Sequence, residues 1–486
     1  MSIATAERAV QSAFEHALRN TKSRASLFET EAALWTSLLA LGRAMITLYL
    51  VRAAARPRAT SYRHEGRPYV LDTKQPRTTQ LGTRFGKVSF ARPVGRRTGA
   101  SRQRVDLPVD REIGLVGGFS LGTVVAVVRL TAMMAFAQAR DTFREFHEWA
   151  PSPRAALRMV DAVGAEAKPF LDQAPAPEGD GEVLVIQVDG RGAPMITITE
   201  RERRARPHTQ QPGTKRAGRR ARRREHPRPR RRKGDKSKNA KVAVLGVIYT
   251  LRKTKDGYEG PINKQVIGTF ESHRALMRWL RHQADKRGYG RKKTLFLADG
   301  SDHIWRTKAE FFPLAQDCLD WFHVVEKLWE AGRFFHSEGS AELKRWVETR
   351  KQMLRGGKVW DLVDDLVAHS KKIPKTGPGT KAKRKRLSDI ITHYGEHAER
   401  MRYDLLRQQG LDIGTGAVEG AVRNVVAVRL DGPGMRWGRE RSELVLHLRC
   451  ILLSDQWEDF VAYLAKQHEI RLLAQPVEAT PHAAAA

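Results

Sequence analysis

The sequence predicts an α/β core that is joined to a mainly α-helical N-terminal region and interrupted by an all-α insertion. Three patterns lead to this fold class. Apolar, strand-like runs alternate with amphipathic runs between residues 179 and 330. The next block, up to residue 412, is strongly charged and nearly all helical in its spacing. Helical runs also dominate most of the first 178 residues.

The predicted segments follow from these changes in pattern. In chain order they are a helical and irregular region at 1–110, a helix-turn-helix-like segment at 111–178, the first part of the core at 179–330, the helical insertion at 331–412, the completion of the core at 413–470, and a disordered tail at 471–486.

The charge of the chain points to a polyanionic partner. Its 486 residues carry a formal net charge of +33 with a pI near 10.5, far more than solubility needs. Nucleic acid is therefore favoured over a membrane surface. Two cysteines cannot build a disulfide framework or a cysteine-based zinc site, which suits a reducing interior. The N-terminus lacks the basic-then-apolar order of a signal peptide, and no membrane partner is expected.

The N-terminal region is expected to contain helices that bind DNA. Residues 1–55 have helical spacing, whereas residues 56–110 turn basic and irregular, with strand-like fragments such as Gly86–Arg92. An amphipathic run at 131–149, a break at Pro151–Pro153 and a shorter helix carrying Arg154 and Arg158 fit a helix-turn-helix. An ordinary helical hairpin fits the same spacing equally well.

The core begins with three predicted strands, at 183–189, 195–199 and 242–249. A helix at 270–287, a strand at 294–299, a short helix at 308–314 and a strand that begins at Cys318 follow. Between the second and third strands lies Arg201–Lys241, which is dominated by Arg, Lys, Pro and Gly. We expect this segment to be a disordered loop that contacts DNA phosphates non-specifically. Its candidate contacts include Arg219, Arg220, Arg222 and Arg223.

Two aspartates end predicted buried strands and precede glycine. Asp189 ends the first strand of the core and Asp299 ends the fourth. If these strands are neighbours, the two carboxylates face each other, and hard divalent cations prefer such oxygen ligands. Glu419, in the first turns of a helix after Gly414-Thr-Gly, is the best candidate for a third carboxylate. Either Asp-Gly alone also fits a simple turn, so the hypothesis depends on their convergence.

Three further groups lie close to these acids in the sequence. Arg423 and Asn424 can reach phosphate from the Glu419 helix. Asp320 and His323 lie three residues apart where a strand becomes a helix. They fit metal ligands, a buried hydrogen-bonded pair or a DNA-positioning pair. We interpret them as structural support of the site.

Several runs in the second half of the chain resemble a known family. One part of the chain resembles the second-aspartate region of bacterial DDE transposases: the runs Leu-Ala-Asp299-Gly-Ser, Ile-Trp305, Phe312-Pro-Leu-Ala and Cys318-Leu-Asp320-Trp-Phe-His323. The resemblance is closest to the ISKra insertion-sequence group and more distant to Mutator-like enzymes. A second part resembles the glutamate region of the same group: the runs Gly416-Ala-Val-Glu419-Gly, Gly434-Met-Arg-Trp437-Gly and Leu453-Ser-Asp-Gln-Trp457. The likeness covers residues 180 to 460, and its motifs are specific in combination.

The resemblance implies an RNase H-like core in which Asp189, Asp299 and Glu419 are the metal-binding triad. It also implies two Mg²⁺ ions, with Mn²⁺ as a substitute, and Asp320 and His323 as an accessory motif. Such enzymes hydrolyse a phosphodiester at the element end and join the 3′-hydroxyl to target DNA. Two departures are the length of the basic loop and the lack of the N-terminal cysteine pairs of many relatives.

The expected partners are the terminal repeats of the element and target DNA, in the cytoplasm of a bacterium at the nucleoid. A dimer or larger homo-oligomer is expected, because two DNA ends must be brought together. Two other functions fit the sequence. One is a metal-dependent endonuclease or resolvase that cuts without joining, and the other is a domesticated, catalytically inert DNA-binding protein.

Overall fold

The computed structural model describes residues 2–21, 25–99, 105–196, 240–255, 257–411, 413–432 and 435–473. The chain forms two compact units. One contains residues 1–170 and 456–486, and the other contains residues 171–455. Each unit has its own β-sheet.

The first unit combines a helical hairpin, a sheet and a helical cluster. Its helices are α1 (Ile3–Asn20), α2 (Leu27–Ala55), α3 (Pro108–Glu112), α4 (Leu121–Met133), α5 (Phe136–His147), α6 (Pro153–Gly164) and α17 (Trp457–Leu473), and α7 (Ala167–Gln173) continues into the second unit. Its strands are β1 (Ser61–His64), β2 (Arg67–Thr83), β3 (Gly86–Arg97), β4 (Val105–Asp106), β5 (Leu115–Val116) and β6 (Phe119–Ser120).

Helix α2 is long and apolar enough to cross a membrane by length and composition alone, a test that core helices of soluble proteins also pass. A capping box of Ser26 and Glu29 begins it. Leu50, near its end, packs into a core cluster with Leu81 and Phe90 of the sheet. Burial against the sheet therefore accounts for part of its apolar surface.

The prediction for 56–110 is confirmed for the strand-like fragment Gly86–Arg92, which lies in β3, and is wrong in treating the remainder as irregular. Strands β2 and β3 form a long antiparallel hairpin there, with an irregularity between Asp72 and Arg77. The predicted helix at 131–149 is also wrong in its bounds, since the chain breaks after Met133 and divides the segment between α4 and α5. Strand β2 was missed because most of its side chains are polar and exposed.

The second unit is a five-stranded sheet surrounded by helices. Its strands are β7 (Val183–Pro194), β8 (Ala240–Thr254), β9 (Gly257–Thr269), β10 (Lys293–Ala298) and β11 (Gln316–Leu319). Its helices are α8 (His273–Lys286), α9 (Asp302–Phe311), α10 (Trp321–Gly332), α11 (Ala341–Arg355), α12 (Val359–Ser370), α13 (Thr380–Glu396), α14 (Tyr403–Gln408), α15 (Gly416–Val422) and α16 (Arg439–Leu453).

The sheet order is β11-β10-β7-β8-β9. Strands β7, β8 and β9 are antiparallel neighbours, whereas β10 and β11 run parallel to β7 on its other side. Helix α8 packs on β8 at Gly246, where an added Cβ would lie 2.6 Å from Leu280. The parallel pairing of β7, β10 and β11 stops at Val188, Ala298 and Leu319, so the residues that follow these three lie at one edge of the sheet.

The strand predicted at 195–199 falls mostly outside the described residues: Met195 makes an isolated bridge to Trp437, and residues 197–199 are not described. Two other features differ from the predictions. Strand β9 was not predicted. The short helix predicted at 308–314 instead spans Asp302–Phe311 and begins directly after the loop that holds Asp299.

Candidate metal centre

Three aspartates stand in register on three neighbouring strands. Asp299 and Asp320 follow the ends of β10 and β11, whereas Asp189 lies within β7, which continues to Pro194 instead of ending at Asp189 as predicted. Val188 of β7 pairs with Ala298 of β10, and Ala298 pairs with Leu319 of β11. The next residues are Asp189, Asp299 and Asp320, and the Asp320 amide donates to the Ala298 carbonyl at 2.9 Å. Neighbouring strands lie about 4.8 Å apart, so the three acids stand side by side at one edge.

Asp189 and Asp299 are both half-buried, and each carboxylate accepts a hydrogen bond from a backbone amide one or two residues later in the chain. One Asp189 oxygen accepts a hydrogen bond from the Gly190 amide at 2.6 Å. One Asp299 oxygen accepts from the Ser301 amide at 2.9 Å, and the Asp299 carbonyl accepts from the Trp305 indole at 2.7 Å. These bonds restrain both carboxylates and use one oxygen of each.

The edge concentrates negative charge. Burial raises the pKa of the Asp189 carboxyl above its usual range, and the charges of Asp299 and Glu419 raise it further, while the Gly190 amide and His323 act in the opposite direction. A pKa raised by like charges means that the ionised carboxylates repel one another. Oxygen ligands in this arrangement fit a hard divalent cation, which would relieve that repulsion.

Glu419 reaches the edge from α15, which lies beyond the helical insertion. Its carboxylate accepts a hydrogen bond from the Thr415 hydroxyl at 3.1 Å. Ligand atoms of Glu419, Asp320 and His323 all lie within 4.8 Å of one another. Asp189 and Asp299 fall outside that group, although the charge of Glu419 acts on Asp189.

Asp320 is fully buried and caps α10. One of its oxygens accepts from the amide and the ring Nδ1 of His323, at 3.0 and 2.8 Å, and the other accepts from the Thr415 amide at 2.8 Å. Burial opposes ionisation, but these bonds hold the pKa of Asp320 below its usual range. Because both of its oxygens already accept N–H groups, Asp320 is better suited to support than to ligation.

His323 is a charged partner of the acids rather than a free ligand. The hydrogen bond to Asp320 raises its pKa to about 9, burial works against this, and the charges of Asp320, Asp299 and Asp189 add to the rise. An imidazolium donates from both nitrogens and has no lone pair for a metal. The proximity of His323 to Asp320 and Glu419 therefore matters first as charge compensation.

Sequence reasoning missed the support role of five residues at the site. Buried Gln187 accepts a hydrogen bond from the Val418 amide, and buried Thr415 bonds to both Asp320 and Glu419. Gly300 lies against the rings of His393 and His397 from the insertion, and its carbonyl lies 3.2 Å from His397 Nε2. The one visible signal was Gln187, a lone polar residue in an apolar strand.

The predicted DNA contacts lie in separate places. Arg154 and Arg158 are exposed on α6 of the first unit, which follows α5 after a short link. Arg423 and Asn424 are exposed on the π-helical turn Arg423–Ala427 that continues α15. The remaining predicted contacts, Arg219, Arg220, Arg222 and Arg223, lie outside the described residues.

Comparisons with known proteins give little to set beside this geometry. No family model matches the sequence, and a search of curated proteins found no match. Among solved structures, a chain of the Drosophila P element transposase strand transfer complex aligns with 73% of this chain and 82% of its own length. The identity is 10% and the TM-score is 0.26, so this likeness carries no argument.

Proposed function

We propose that the chain is a DDE-type DNA transposase that cleaves phosphodiesters at the ends of an element and joins those ends to target DNA. The observation that carries the proposal is the approach of Asp189, Asp299 and Glu419 to one sheet edge. Asp189 and Asp299 directly follow the last paired residues of the parallel strands β7 and β10, and Glu419 comes from a helix beyond the insertion. The motifs around Asp299 and Glu419 give the proposal independent support from sequence.

The proposed fold of the core is RNase H-like. It is supported by three antiparallel strands followed by two parallel strands on the other side of β7, with helices between the later strands. In this arrangement the helical block 331–412 is an insertion between α10 and the Glu419 helix. The insertion also contacts the site through His393 and His397, which lie against Gly300.

Asp189, Asp299 and Glu419 are the residues that would hold two Mg²⁺ ions, with Mn²⁺ as a substitute. A pair of such ions activates a water or hydroxyl and stabilises the leaving oxygen in in-line phosphoryl transfer. The chain prepares for this role by holding its carboxylates in place through the Gly190 and Ser301 amides and the Thr415 hydroxyl.

DNA is the proposed partner, and its phosphates are the groups that the exposed cations would contact. Arg423 and Asn424 follow the Glu419 helix directly, so they are suited to the backbone near the scissile phosphate. Arg154 and Arg158 are suited to a DNA end, and the basic segment 201–241 to non-specific contacts. We also propose that the protein acts as a dimer or larger homo-oligomer in the bacterial cytoplasm.

The proposal is tested by cleavage and joining of DNA that carries the inverted repeats flanking the gene. We expect Asp299→Ala to lower both rates at least about 100-fold, because catalysis here depends on electrostatic positioning. DNA binding should be retained. The control is Asp361→Ala, at an exposed position of α12. An Asp299→Ala protein that cuts and joins at the wild-type rate would overturn the assignment.

Pre-nicked ends separate the other functions. Wild-type protein that cuts ends but never joins pre-nicked ones is a metal-dependent nuclease or resolvase. Wild-type protein that binds DNA without cutting, and whose Mg²⁺ titration by calorimetry loses no site on Asp189→Asn, is an inert DNA-binding protein.

A further inference from the structure

Gln187 is a polar side chain in the fully buried, otherwise apolar first half of β7. It lies on β7 two residues before Asp189, is only 1% exposed, and has buried apolar neighbours along the strand on both sides. Burying an amide costs free energy unless its oxygen and its nitrogen both find hydrogen-bond partners. The partners of Gln187 therefore indicate what this residue does.

Both ends of the Gln187 amide are satisfied, and two of its three partners belong to the segment that leads to Glu419. Its oxygen accepts a hydrogen bond from the Val418 amide at 2.9 Å. Its nitrogen donates to the Gly414 carbonyl at 3.3 Å and to the Tyr249 hydroxyl at 3.0 Å. Tyr249 lies opposite Val185 on the neighbouring strand β8 and orients the amide from the sheet side.

Helix α15 needs this external partner. The first amides of a helix have no acceptor inside it, and a Thr at the N-cap position ordinarily accepts from one of them. Thr415 occupies that position but makes no side-chain cap. Its hydroxyl instead donates to Glu419. The Val418 amide is thereby left to Gln187, 231 residues earlier in the chain.

The segment from Gly414 to Val418 is thus attached to the sheet at two places. Asp320, which follows β11, holds the Thr415 amide, and Gln187 on β7 holds Gly414 and Val418. Attachment at these two places restricts the rotation of α15 about its axis and its distance from the sheet. The Glu419 side chain lies one residue after Val418, so its carboxylate is carried by the same constraint.

We propose that Gln187 is a positioning residue that caps α15 from the sheet and thereby holds Glu419 close to Asp189 and Asp299. The proposal rests on the proposed function only in treating Glu419 as a metal-binding carboxylate. Gln187 itself contacts neither substrate nor ion.

The experiment compares Gln187→Met with Gln283→Met. Met preserves the length and burial of the side chain but removes its hydrogen bonds. Gln283, on α8, is 2% exposed and donates to the Leu171 carbonyl at 3.0 Å, so its loss reproduces the cost of a missing buried bond away from the site. Three quantities are measured on the full chain: hydrogen exchange of residues 414–422, Mn²⁺ affinity by electron paramagnetic resonance, and melting temperature.

We expect Gln187→Met to speed exchange at the Val418 amide and to weaken Mn²⁺ binding at least about tenfold, as is typical when the support of a metal ligand is removed. Gln283→Met should lower the melting temperature without changing either quantity. Tyr249→Phe, which removes one acceptor from the Gln187 amide and leaves the ring in place, should move both quantities in the same direction by less.

Equal Val418 exchange in Gln187→Met, Gln283→Met and wild-type protein would overturn the proposal. So would faster exchange with unchanged Mn²⁺ affinity, because Glu419 would then not depend on the cap. If Gln187→Met fails to fold, Tyr249→Phe decides by the same criteria. Wild-type protein that binds no Mn²⁺ contradicts both the metal site of the proposed function and the role assigned here toward Glu419, whereas failure of the cap alone leaves wild-type Mn²⁺ binding intact.

Discussion

The Asp320 carboxylate accepts a hydrogen bond from the Thr415 amide at 2.8 Å, across 95 residues of sequence. This bond joins the end of the outermost parallel strand to the turn before Glu419. An acid that stands in register with two proposed metal ligands is thereby occupied by N–H donors from two elements. The relationship separates acids that hold the site together from acids that are open to a ligand.

Asp320→Asn should destabilise the fold and lower cleavage together. The Asn amide group must face one of the N–H donors that Asp320 now accepts, which leaves a buried donor unpaired at a cost of about 1–3 kcal/mol. Asp299→Asn should remove cleavage with little change in stability, since an amide oxygen can still accept from the Ser301 amide. Urea unfolding and cleavage rates measure both effects. Loss of cleavage in Asp320→Asn at wild-type stability would instead make Asp320 a direct ligand.

Gly300→Ala should disturb the loop that follows Asp299. An added Cβ would lie 2.0 Å from the His393 ring, so that ring or the loop must shift, at an overpacking cost of about 1–3 kcal/mol. The double variant with His393→Ala opens the space and should recover most of the loss. Gly420→Ala, where nothing lies within 4 Å of the new Cβ, is the control. Unfolding free energies of wild type, Gly300→Ala, His393→Ala and the double variant give the coupling, and the absence of recovery would contradict the packing explanation.

Asp180→Asn should cost about 3–5 kcal/mol, because it leaves Arg287 buried without its anionic partner. Arg287 is 3% exposed and donates to both Asp180 oxygens, at 2.9 and 2.7 Å. The exposed pair Arg281–Asp285 provides the control, and Asp285→Asn should cost less than about 1 kcal/mol. Denaturant unfolding at pH 7 measures both changes.

The effect of Asp180 should also depend on pH. Burial would raise the pKa of Asp180, but its hydrogen bonds with Arg287 and Asn263 lower it. A lowered carboxyl pKa contributes stability that is fully present above the unfolded value of about 3.9 and is lost as the pH falls through the folded value. The stability difference between wild type and Asp180→Asn should therefore shrink on acidification. A constant difference down to pH 2 would contradict this explanation.

Replacing residues 201–239 with a Gly/Ser segment of equal length should reduce non-specific DNA affinity and its salt dependence. The segment carries 18 Arg or Lys residues and three acids. For every phosphate that the protein no longer neutralises, the slope of log affinity against log salt should fall by about 0.9. Strands β7 and β8 pair up to Pro194 and Ala240, so the sheet keeps its own hydrogen bonds. Anisotropy titrations between 50 and 200 mM salt test this, and an unchanged slope would exclude phosphate binding by the segment.

Asp189 and Asp299 stood out in the sequence because each directly follows a continuous apolar run. Those runs are the parts of β7 and β10 that are buried on both faces of the sheet. Strands β2 and β9 were missed for the opposite reason. Their first halves are largely exposed and polar, and Pro76 and Pro261 interrupt any strand pattern. A strand that gains its stability from one packed face and from its neighbours leaves a weak local signal.

The support of Glu419 lay beyond sequence reasoning for a different reason. The bonds from Gln187 and Asp320 to the Glu419 segment join residues 231 and 95 positions apart. Their existence depends on the strand order and on the way the insertion returns the chain to the sheet. Local periodicity indicates neither the strand order nor the path of the chain after the insertion. The sequence could therefore mark Gln187 as unusual without indicating its partner.

The position of Glu419 beyond the insertion also orders events during synthesis. A ribosome that adds roughly 5–20 residues per second needs on the order of ten seconds to pass from Asp299 to Glu419. A nascent chain within that interval already carries the basic segment but holds only two of the three acids of the proposed site. Under the proposed function, a polypeptide released early by truncation, frameshift or ribosome stalling would hold DNA without cutting it, and only a chain that includes Glu419 would cut.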